Sequence, residues 1–380
     1  MMNNKVIDFM GVRHITSGIS IFLVVASLIS IFTLGIKGGL DFTGGTQLEF
    51  LSDKPISIPK VRAVLDEEHL KSPTAVLFGS DLDVMIRTQD QMKTKGQEFI
   101  NKKLTDGQIV EVRRPKQGLI GFSEVLVIAN SSIDKIQSSG VFAHDFGHTT
   151  YEEENKNVLV AIENPLDSIY VDYLIQKIET ATDTKIELRS SEFVGPQIGD
   201  ELRDKGGLGL LAAFFVVFLY VAVQFQWKFS AGAIIALVHD VTITLGCFSI
   251  FQWDFDLTVL AALLALIGYS INDTIVIYDR IRENFRVLRK MASLEVINIS
   301  ITQTLGRSIM TSMTVFLVLV VLYLFGGELL NGFSKALLIG VIVGTYSSIY
   351  IAANITVALG ITKEDLMPKV VENSEADTLP

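Results

Sequence analysis

Two adjacent polar residues, Asn272 and Asp273, interrupt an apolar segment that spans residues 257–278. A carboxylate in hydrocarbon costs roughly 3 kcal/mol even on lenient insertion scales, so such acids usually face the interior of a helix bundle and mark ion or proton paths. Helical spacings of three and four residues place Tyr269 and Ser270 on the same side as Asp273. We therefore expect Asp273, with Asn272 beside it, to carry proton-coupling chemistry.

A second polar stripe begins just before the next apolar segment, 308–325, and continues into it. Its members recur at intervals of three, four and three residues: Thr304, Arg307, Thr311 and Thr314. A basic group at the inner end of this stripe could pair with Asp273, and gain or loss of a proton at Asp273 would then break or form the pair. A permanent salt bridge or hydrogen bond that holds the two helices together is the alternative interpretation.

Asp240 is another acid near the middle of an apolar segment, in the sequence Val238-His-Asp-Val-Thr242. It could act as a proton relay with His239 or Thr244, or it could stay protonated and form a hydrogen bond between helices. The pattern favours the structural role and leaves the relay open. Because the relay stays open, we include Asp240, like Arg307, among the candidate proton-coupling residues.

The composition is typical of a membrane protein that also carries one large domain outside the bilayer. Of the 380 residues, 49% are hydrophobic, and the mean hydropathy is +0.42. The net charge is -10, but the acidic residues form no long tail, which argues against nucleic acid as a partner. The single Cys247 excludes a disulfide framework and a Cys-rich metal site. We expect neither an enzyme nor a cofactor-binding protein.

Six apolar segments are long enough to cross a bilayer as helices: 15–36, 208–225, 230–250, 257–278, 308–325 and 335–359. The first follows Lys5 and Arg13, like a signal peptide, but it lacks a small-residue cleavage site, so we interpret it as an uncleaved anchor. In the last segment, Gly340, Gly344 and Ser348 form a ladder of small residues that predicts the close approach of another helix.

Basic residues predict how these helices are oriented. The loop 279–307 holds five arginines and one lysine, whereas the loops 251–256 and 326–334 hold none. Basic loops stay in the cytoplasm. We therefore expect residues 1–14 and 361–380 to be cytoplasmic, 37–207 to form a domain on the opposite side of the membrane, and 208–360 to contain the second to sixth helices.

The segment 37–207 alternates strand and helix patterns, which predicts an α+β domain of the ferredoxin-like, βαβ type. A second, similar round of strand, helix and strand predicts an extra βαβ-like unit around 115–184. The predicted fold class is therefore a polytopic α-helical membrane protein. It has a six-helix transmembrane bundle and an α+β domain between the first and second helices.

Glycine-containing turns flank this predicted domain. Asp41 precedes Gly44 and Gly45, whose backbone freedom allows a sharp turn from helix to strand. A phosphate-cradling loop is the alternative interpretation, but the lysine and the helix that such a loop requires do not follow. At the far end, Gly195 and Pro196 break a strand, and we interpret them as a hinge or a plain linker before a short interfacial helix.

One histidine pair could indicate a metal. His144 and His148 have the spacing of a helical zinc site. Gly147 and the threonines that follow favour a loop, and the sequence offers neither a general base nor a third ligand. We therefore predict a solvated loop and no metal site.

Six longer motifs occur in order along the chain: Gly39-Leu-Asp-Phe-Thr-Gly-Gly-Thr46, Phe193-Val-Gly-Pro196, Val238-His-Asp-Val-Thr-Ile-Thr-Leu245, Gly268-Tyr-Ser-Ile-Asn-Asp-Thr-Ile-Val276, Asp279-Arg-Ile-Arg-Glu-Asn284 and Thr302-Gln-Thr-Leu-Gly-Arg307. Together they closely resemble the SecD/SecF family of protein-export membrane proteins, which is related to the resistance–nodulation–division transporters. The resemblance covers nearly the whole membrane half and both ends of the external domain.

The resemblance implies a subunit of the bacterial Sec protein translocase that uses the proton-motive force to assist protein export. It also implies a place in the bacterial inner membrane, with residues 37–207 as a periplasmic domain. The partners it implies are a SecD-like subunit, the SecYEG channel, YajC, exported unfolded polypeptides and membrane lipids. The proton-linked aspartate of the family falls on Asp273 and its arginine on Arg307. Half of a proton-driven exporter of small molecules or lipids is the alternative function, and a membrane-anchored scaffold is a third.

Overall fold

The computed structural model describes residues 6–361 except 79, 116–118 and 156. The predicted cytoplasmic tail, 361–380, therefore lies outside the described residues from residue 362 onwards. The chain forms two compact units. We call Met1–Gly39 with Glu201–Pro380 the membrane unit and Leu40–Asp200 the interspan unit.

The helices of the described residues are α1 (Arg13–Thr33), α2 (Leu40–Thr43), α3 (Ile58–Glu67), α4 (Met92–Lys103), α5 (Ile133–Ser138), α6 (Leu166–Thr182), α7 (Pro196–Gln224), α8 (Trp227–Phe251), α9 (Leu257–Val287), α10 (Ser293–Phe325) and α11 (Gly327–Ala358). The strands are β1 (Gly45–Ser52), β2 (Thr74–Leu77), β3 (Asp83–Thr88), β4 (Gln108–Arg113), β5 (Glu124–Ala129), β6 (Thr149–Glu154), β7 (Asn157–Ile162) and β8 (Ile186–Val194). Six helices, α1 and α7 to α11, are long and apolar enough to cross a membrane. The predicted fold class is confirmed, because the sheets lie between α1 and α7.

The membrane helices continue beyond the apolar segments that predicted them. α9 ends at Val287 rather than at 278, and α10 begins at Ser293 rather than at 308. A polar contact joins these extensions, since Asn284 Nδ2 donates a hydrogen bond to Ser300 Oγ at 2.8 Å. Hydropathy marks only the part of a helix that lies in hydrocarbon, whereas the helix itself continues until its terminal backbone groups find other partners.

The segment after Gly195 differs from the prediction of a short interfacial helix. α7 runs without a break from Pro196 to Gln224. A proline suits the first turn of a helix, because the N–H that it lacks would have no partner there. Gly195 and Pro196 therefore end a strand and start a membrane helix directly.

α8, α9 and α11 form the interior of the membrane unit. At least 50% of the apolar stretch of each is buried, against 17% for α10 and 6% for α7. Small residues allow α11 to approach α9: a Cβ added at Gly340 would lie 2.5 Å from Leu266 Cδ1, and one at Gly344 would lie 3.3 Å from Ser270 Cβ. The predicted packing role of the small-residue ladder is confirmed.

The interspan unit contains a four-stranded antiparallel sheet in the order β2-β3-β1-β8. Alternate residues of β1, among them Leu48 and Phe50, pack in a core with α3 and α6. Because β3 lies between β1 and β2, the run β1–α3–β2 is a split βαβ unit. This arrangement is ferredoxin-like, as the sequence predicted.

A second sheet has the order β4-β5-β7-β6, and each of its strand pairs is antiparallel. It runs from Gln108 to Ile162, whereas the sequence predicted an extra βαβ-like unit around 115–184. The difference arises from α6, which serves both cores: Leu166 and Ile169 pack on the second sheet, and Leu174 packs on the first. A helix that covers two cores has the same apolar periodicity as a helix that covers one.

Candidate functional site

The Asp273 carboxyl group lies inside the membrane unit on α9, and the residue is only 4% exposed. Ser312 on α10 donates a hydrogen bond to its Oδ2 at 3.4 Å. The same Ser312 oxygen accepts a hydrogen bond from Tyr269 Oη at 3.0 Å and lies 2.7 Å from Thr345 Oγ1 on α11. One serine hydroxyl of α10 therefore links Asp273 to Tyr269 on α9 and to Thr345 on α11.

Asp240 on α8 is completely buried and also contacts hydroxyl groups of neighbouring helices. Ser270 on α9 and Ser347 on α11 donate hydrogen bonds to its Oδ2 at 2.6 Å and 2.8 Å. His239 Nδ1 lies 2.9 Å from its Oδ1. Asp240 thus joins α8, α9 and α11 at one point.

Hydroxyl groups continue along the contact between α9 and α11. Thr274 Oγ1 lies 3.1 Å from Ser348 Oγ, and Ser348 Oγ lies 3.4 Å from the carbonyl oxygen of Ser270. Ser270, which binds Asp240, precedes Asp273 by three residues on the same helix. These residues form two hydrogen-bonded groups that share helices α9 and α11, and we call them together the polar seam: Asp273, Ser312 and Thr345 in one group, and Asp240, Ser270, Thr274, Ser347 and Ser348 in the other.

The sequence predicted the two acids and missed the role of the α11 hydroxyls. The spacing of Gly344 and Ser348 predicts only close packing, yet the segment 344–348 supplies three hydroxyl groups to the polar seam. The signal that could have indicated this role is the run of serine and threonine inside an apolar helix, since such side chains form hydrogen bonds across membrane helices.

Arg307 does not pair directly with Asp273 in this structure. Its side chain is exposed, and among the described residues neither a hydrogen bond nor an ion pair joins the two. α9 and α10 run antiparallel with Tyr269 beside Ser312, which brings Asp273 level with that part of α10. Arg307 precedes Ser312 by five residues, roughly 7.5 Å along the helix, and so lies nearer the α9–α10 connection.

Arg307 lines a polar hollow with a volume of about 530 Å³. The hollow carries charges of both signs, because Asp279, Arg280 and Glu283 line it too. Arg280 Nη1 lies 2.6 Å from Glu283 Oε2. The predicted cation is therefore set among charged groups on the side of Asp273 nearest the basic loop.

The remaining residues of the two predicted polar stripes are Asn272 and three threonines of α10. Asn272 is exposed on α9, away from the polar seam. Thr304, Thr311 and Thr314 each donate a hydrogen bond to a carbonyl oxygen of α10 itself, as helical threonines commonly do.

The glycine-containing turns at the two ends of the interspan unit lie close together. Gly44 and Gly45 have φ values of +70° and +139°, and a Cβ at Gly45 would lie 2.2 Å from the Thr88 carbonyl oxygen. The turn from α2, which contains Asp41, into β1 therefore requires glycine. Gly45 pairs with Val194, so the two ends of the unit meet at one edge of β1.

The histidine pair lies in turns between α5 and β6, with both side chains exposed. The His148 ring is 5.8 Å from the Phe122 ring. Within the described part of the chain, no three His, Cys, Asp or Glu side chains are grouped as metal ligands would be. The arrangement gives no support to metal binding at His144 and His148.

The fold and the site together define a polytopic helical membrane protein with acids inside its bundle. Residues 174–362 match the family described as "Protein export membrane protein SecD/SecF, C-terminal", and residues 29–56 match the "SecD/SecF GG Motif". The chain is 40% identical over 378 residues to the protein translocase subunit SecF of Pseudomonas aeruginosa, with 99% of each chain covered. It is 36% identical to SecF of Vibrio alginolyticus, with 99% of this chain and 98% of that relative covered. The chain belongs to the SecD/SecF family.

A solved structure is similar over most of the chain. The crystal structure of SecDF, a translocon-associated membrane protein, from Thermus thermophilus matches with a TM-score of 0.63 and 27% identity. The match covers 94% of this chain and 39% of that longer SecDF chain. The relatives from Pseudomonas aeruginosa and Vibrio alginolyticus, which match over nearly their full length, are both SecF subunits. This chain therefore has a role in the Sec translocase. With its six apolar helices, it is a multi-pass inner-membrane protein.

Proposed function

We propose that this chain uses the proton-motive force, together with a SecD-like subunit, to assist the export of proteins. The observation that carries the proposal is the burial of Asp273 beside the Ser312 hydroxyl. An ionised carboxylate only accepts hydrogen bonds, whereas a protonated carboxyl group also donates one. Each gain or loss of a proton at Asp273 therefore reorders the hydrogen bonds that join α9, α10 and α11.

Asp240 is the second proton-coupling residue in this proposal. Its contacts with Ser270 and Ser347 give it the same dependence on protonation, at the meeting point of α8, α9 and α11. Because Ser270 and Asp273 lie on one helix, a shift of α9 that follows a change at one acid alters the surroundings of the other. The polar seam acts as one unit.

A SecD-like chain completes the site. Arg307 and Asn272 are exposed on helices of the membrane unit, where hydrocarbon would leave a charged or amide group poorly solvated. Burial against a second membrane chain would provide polar partners, and the much longer SecDF relative supports such a neighbour. Arg307 then serves as the cation that approaches Asp273 when α10 moves relative to α9.

The interspan unit is periplasmic in this proposal, and both termini are cytoplasmic. The basic residues around the α9–α10 connection support this orientation. In this orientation the interspan unit contacts exported unfolded polypeptides. The other partners of the whole chain are the SecYEG channel, YajC and membrane lipids. The chain acts as an accessory subunit and performs no enzymatic step, and it needs neither a cofactor nor nucleic acid.

Asp273→Asn tests the proposal, because the amide cannot exchange a proton. We expect export of a slowly released periplasmic protein to fall at least tenfold, while the variant stays folded and bound to the SecD-like subunit. Glu295→Gln is the matched control, since this exposed acid in the first turn of α10 lies outside both the polar seam and the hollow that Arg307 lines. Pulse-chase measurement of export in cells that carry only the variant is the assay. Normal export with Asp273→Asn would contradict the proposal.

Purification with bound partners separates this function from the exporter alternative. We expect the chain to be recovered with a SecD-like chain and the Sec channel. Recovery with an outer-membrane efflux duct in their place would favour half of a small-molecule or lipid exporter.

A further inference from the structure

The residues that follow α1 are bonded to the connection between α8 and α9. Gly39 N donates a hydrogen bond to the Phe255 carbonyl oxygen at 2.7 Å, and Phe255 N donates one to the Lys37 carbonyl oxygen at 2.8 Å. Ser249 Oγ lies 2.7 Å from the Gly35 carbonyl oxygen. We call this contact, between residues 35–39 and 249–256, the linker junction.

Side chains strengthen the linker junction and fit it closely. Lys37 Nζ lies 2.7 Å from Asp254 Oδ1. There is little space at Gly39, where a Cβ would lie 2.9 Å from Asp256 Cβ and 3.1 Å from the Phe255 carbonyl oxygen. The two segments are therefore held side by side by backbone pairing, an ion pair and close packing.

The linker junction touches the first turn of the helix that carries Asp273. Asp256 is the N-cap of α9, and its Oδ1 accepts a hydrogen bond from Val259 N at 2.9 Å. On the other side of the junction, the chain continues from Gly39 through the short helix α2 to β1, which begins at Gly45. Only five residues, 40–44, separate the junction from the first strand of the interspan unit.

We propose that the linker junction transmits displacement of α9 to β1, with Lys37, Gly39 and Asp254 as positioning residues for the coupling. An α-helix moves largely as one body, so a shift of α9 at the polar seam also displaces its N-cap. The junction carries that displacement to residues 35–39 and from there along the chain to β1. This inference rests on the proposed function and adds the route by which the polar seam acts on the interspan unit.

Charge reversal at the ion pair is the first test. Exposed ion pairs contribute little to stability, and these side chains are 44% and 37% exposed, so the variants should fold. We expect Lys37→Asp and Asp254→Lys each to reduce export at least threefold, and the double exchange Lys37→Asp/Asp254→Lys to recover at least half of the loss. Arg113→Asp, which breaks a similarly exposed pair with Glu111 in the interspan unit, is the matched control.

The readout that separates coupling from folding is proton movement into vesicles that contain the complete complex. A coupling defect lowers export and leaves proton movement within twofold of the unaltered complex, whereas a folding defect lowers both. Gly39→Ala should act like charge reversal because of the close contact with Asp256, and Gly207→Ala, with open space around it, is its control. Unchanged export in Lys37→Asp, Asp254→Lys and Gly39→Ala would overturn the inference.

A covalent link tests whether the junction stays closed while it acts. Lys37→Cys and Asp254→Cys, in a chain that also carries Cys247→Ala, can be joined by a short thiol cross-linker. We expect the complex to keep, after cross-linking, at least half of the export activity that the same two-cysteine complex has before cross-linking, because a transmitting contact need not open. If cross-linking abolishes export and cleavage of a cleavable cross-linker restores it, the junction must separate during export, and the inference is overturned.

The two proposals fail in different ways. If the proposed function is wrong, Asp273→Asn leaves export unchanged. If only the linker junction inference is wrong, Asp273→Asn abolishes export while Lys37→Asp and Gly39→Ala retain it.

Discussion

At the scale of single residues, Ser312 determines how Asp273 is connected to the rest of the membrane unit. Its hydroxyl donates to Asp273, accepts from Tyr269 and lies next to Thr345. Three polar groups from two neighbouring helices thus depend on one side chain of α10. The response to a proton at Asp273 must pass through this hydroxyl if it is to reach α10 and α11.

Ser312→Ala should therefore uncouple the seam without removing either acid. We expect a loss of about 1 kcal/mol of stability, since a buried hydroxyl partner disappears, and at least a fivefold fall in export. Thermal unfolding of the purified chain and pulse-chase export are the measurements. Ser308→Ala is the matched control, because Ser308 Oγ is buried on the same helix and has no hydrogen-bond partner among the residues that the structure describes. Equal effects of the two substitutions would refute the role of Ser312.

The sequence located Asp273 and Asp240 because a carboxylate in an apolar segment is conspicuous in any arrangement of the helices. It did not locate the contacts of Arg307. Residue spacing specifies the face of a helix but not its axial position relative to a neighbour, and the alignment of α9 with α10 sets Asp273 beside Ser312. The helix-to-helix offset is a tertiary property, and one turn of helix decides whether two charges meet.

At the scale of elements, the contact between α9 and α11 brings the hydroxyl groups of the polar seam within reach of one another. Gly340 allows the approach, because a Cβ there would collide with the Leu266 side chain. Thr274 and Ser348 then meet at 3.1 Å. Packing therefore sets the distance between these two helices, and this distance is short enough for their hydroxyl groups to form hydrogen bonds.

Gly340→Ala should separate α9 from α11 and weaken the whole seam. Overfilling a tight contact commonly costs 1 to 3 kcal/mol, so we expect a loss of about 2 kcal/mol together with reduced export. Gly306→Ala is the control, since a Cβ at this glycine of α10 would meet nothing within 4 Å. Chemical denaturation of both variants is the measurement, and a Gly340→Ala chain as stable as Gly306→Ala would contradict the packing argument.

The element types in the interspan unit were largely predictable, whereas their assignment to sheets was not. β1 and α3 follow from alternation and helical periodicity in the sequence. The short strand β2 and the edge strand β6 carry weaker patterns, which are too faint to predict either strand from the sequence. The double role of α6 depends on how two cores share one helix, which only the assembled domain determines.

At the scale of the whole molecule, stability depends on pH through a polar cluster between α3 and α6. Burial by itself would raise the pKa of Glu68, but hydrogen bonds from Lys177, Tyr173 and Tyr170 outweigh burial and hold that pKa below its ordinary value of 4.5. A lowered pKa in the folded state stabilises the chain above the ordinary value, and this contribution is lost as the pH falls towards the folded value.

Glu68→Gln should remove this dependence. We expect its unfolding temperature to lie about 2 °C below that of the unaltered chain near neutral pH, and the difference to shrink as the pH falls below 4.5. Scanning calorimetry of the full chain across this pH range is the measurement. Glu67→Gln is the matched control, because Glu67 also contacts Lys177 but its side chain is 68% exposed. A difference that stays constant with pH would argue against the assignment.

The pairing of β1 with β8 makes the interspan unit a self-contained cassette. Since Gly45 lies opposite Val194, the chain enters and leaves the unit through neighbouring strands, and the second sheet is inserted inside that closed frame. Growth or loss of material between β3 and α6 leaves the ends of the frame where they are. Evolution can therefore resize the interspan unit of such a protein, and engineers can exchange it, without redesigning the helices of the membrane unit.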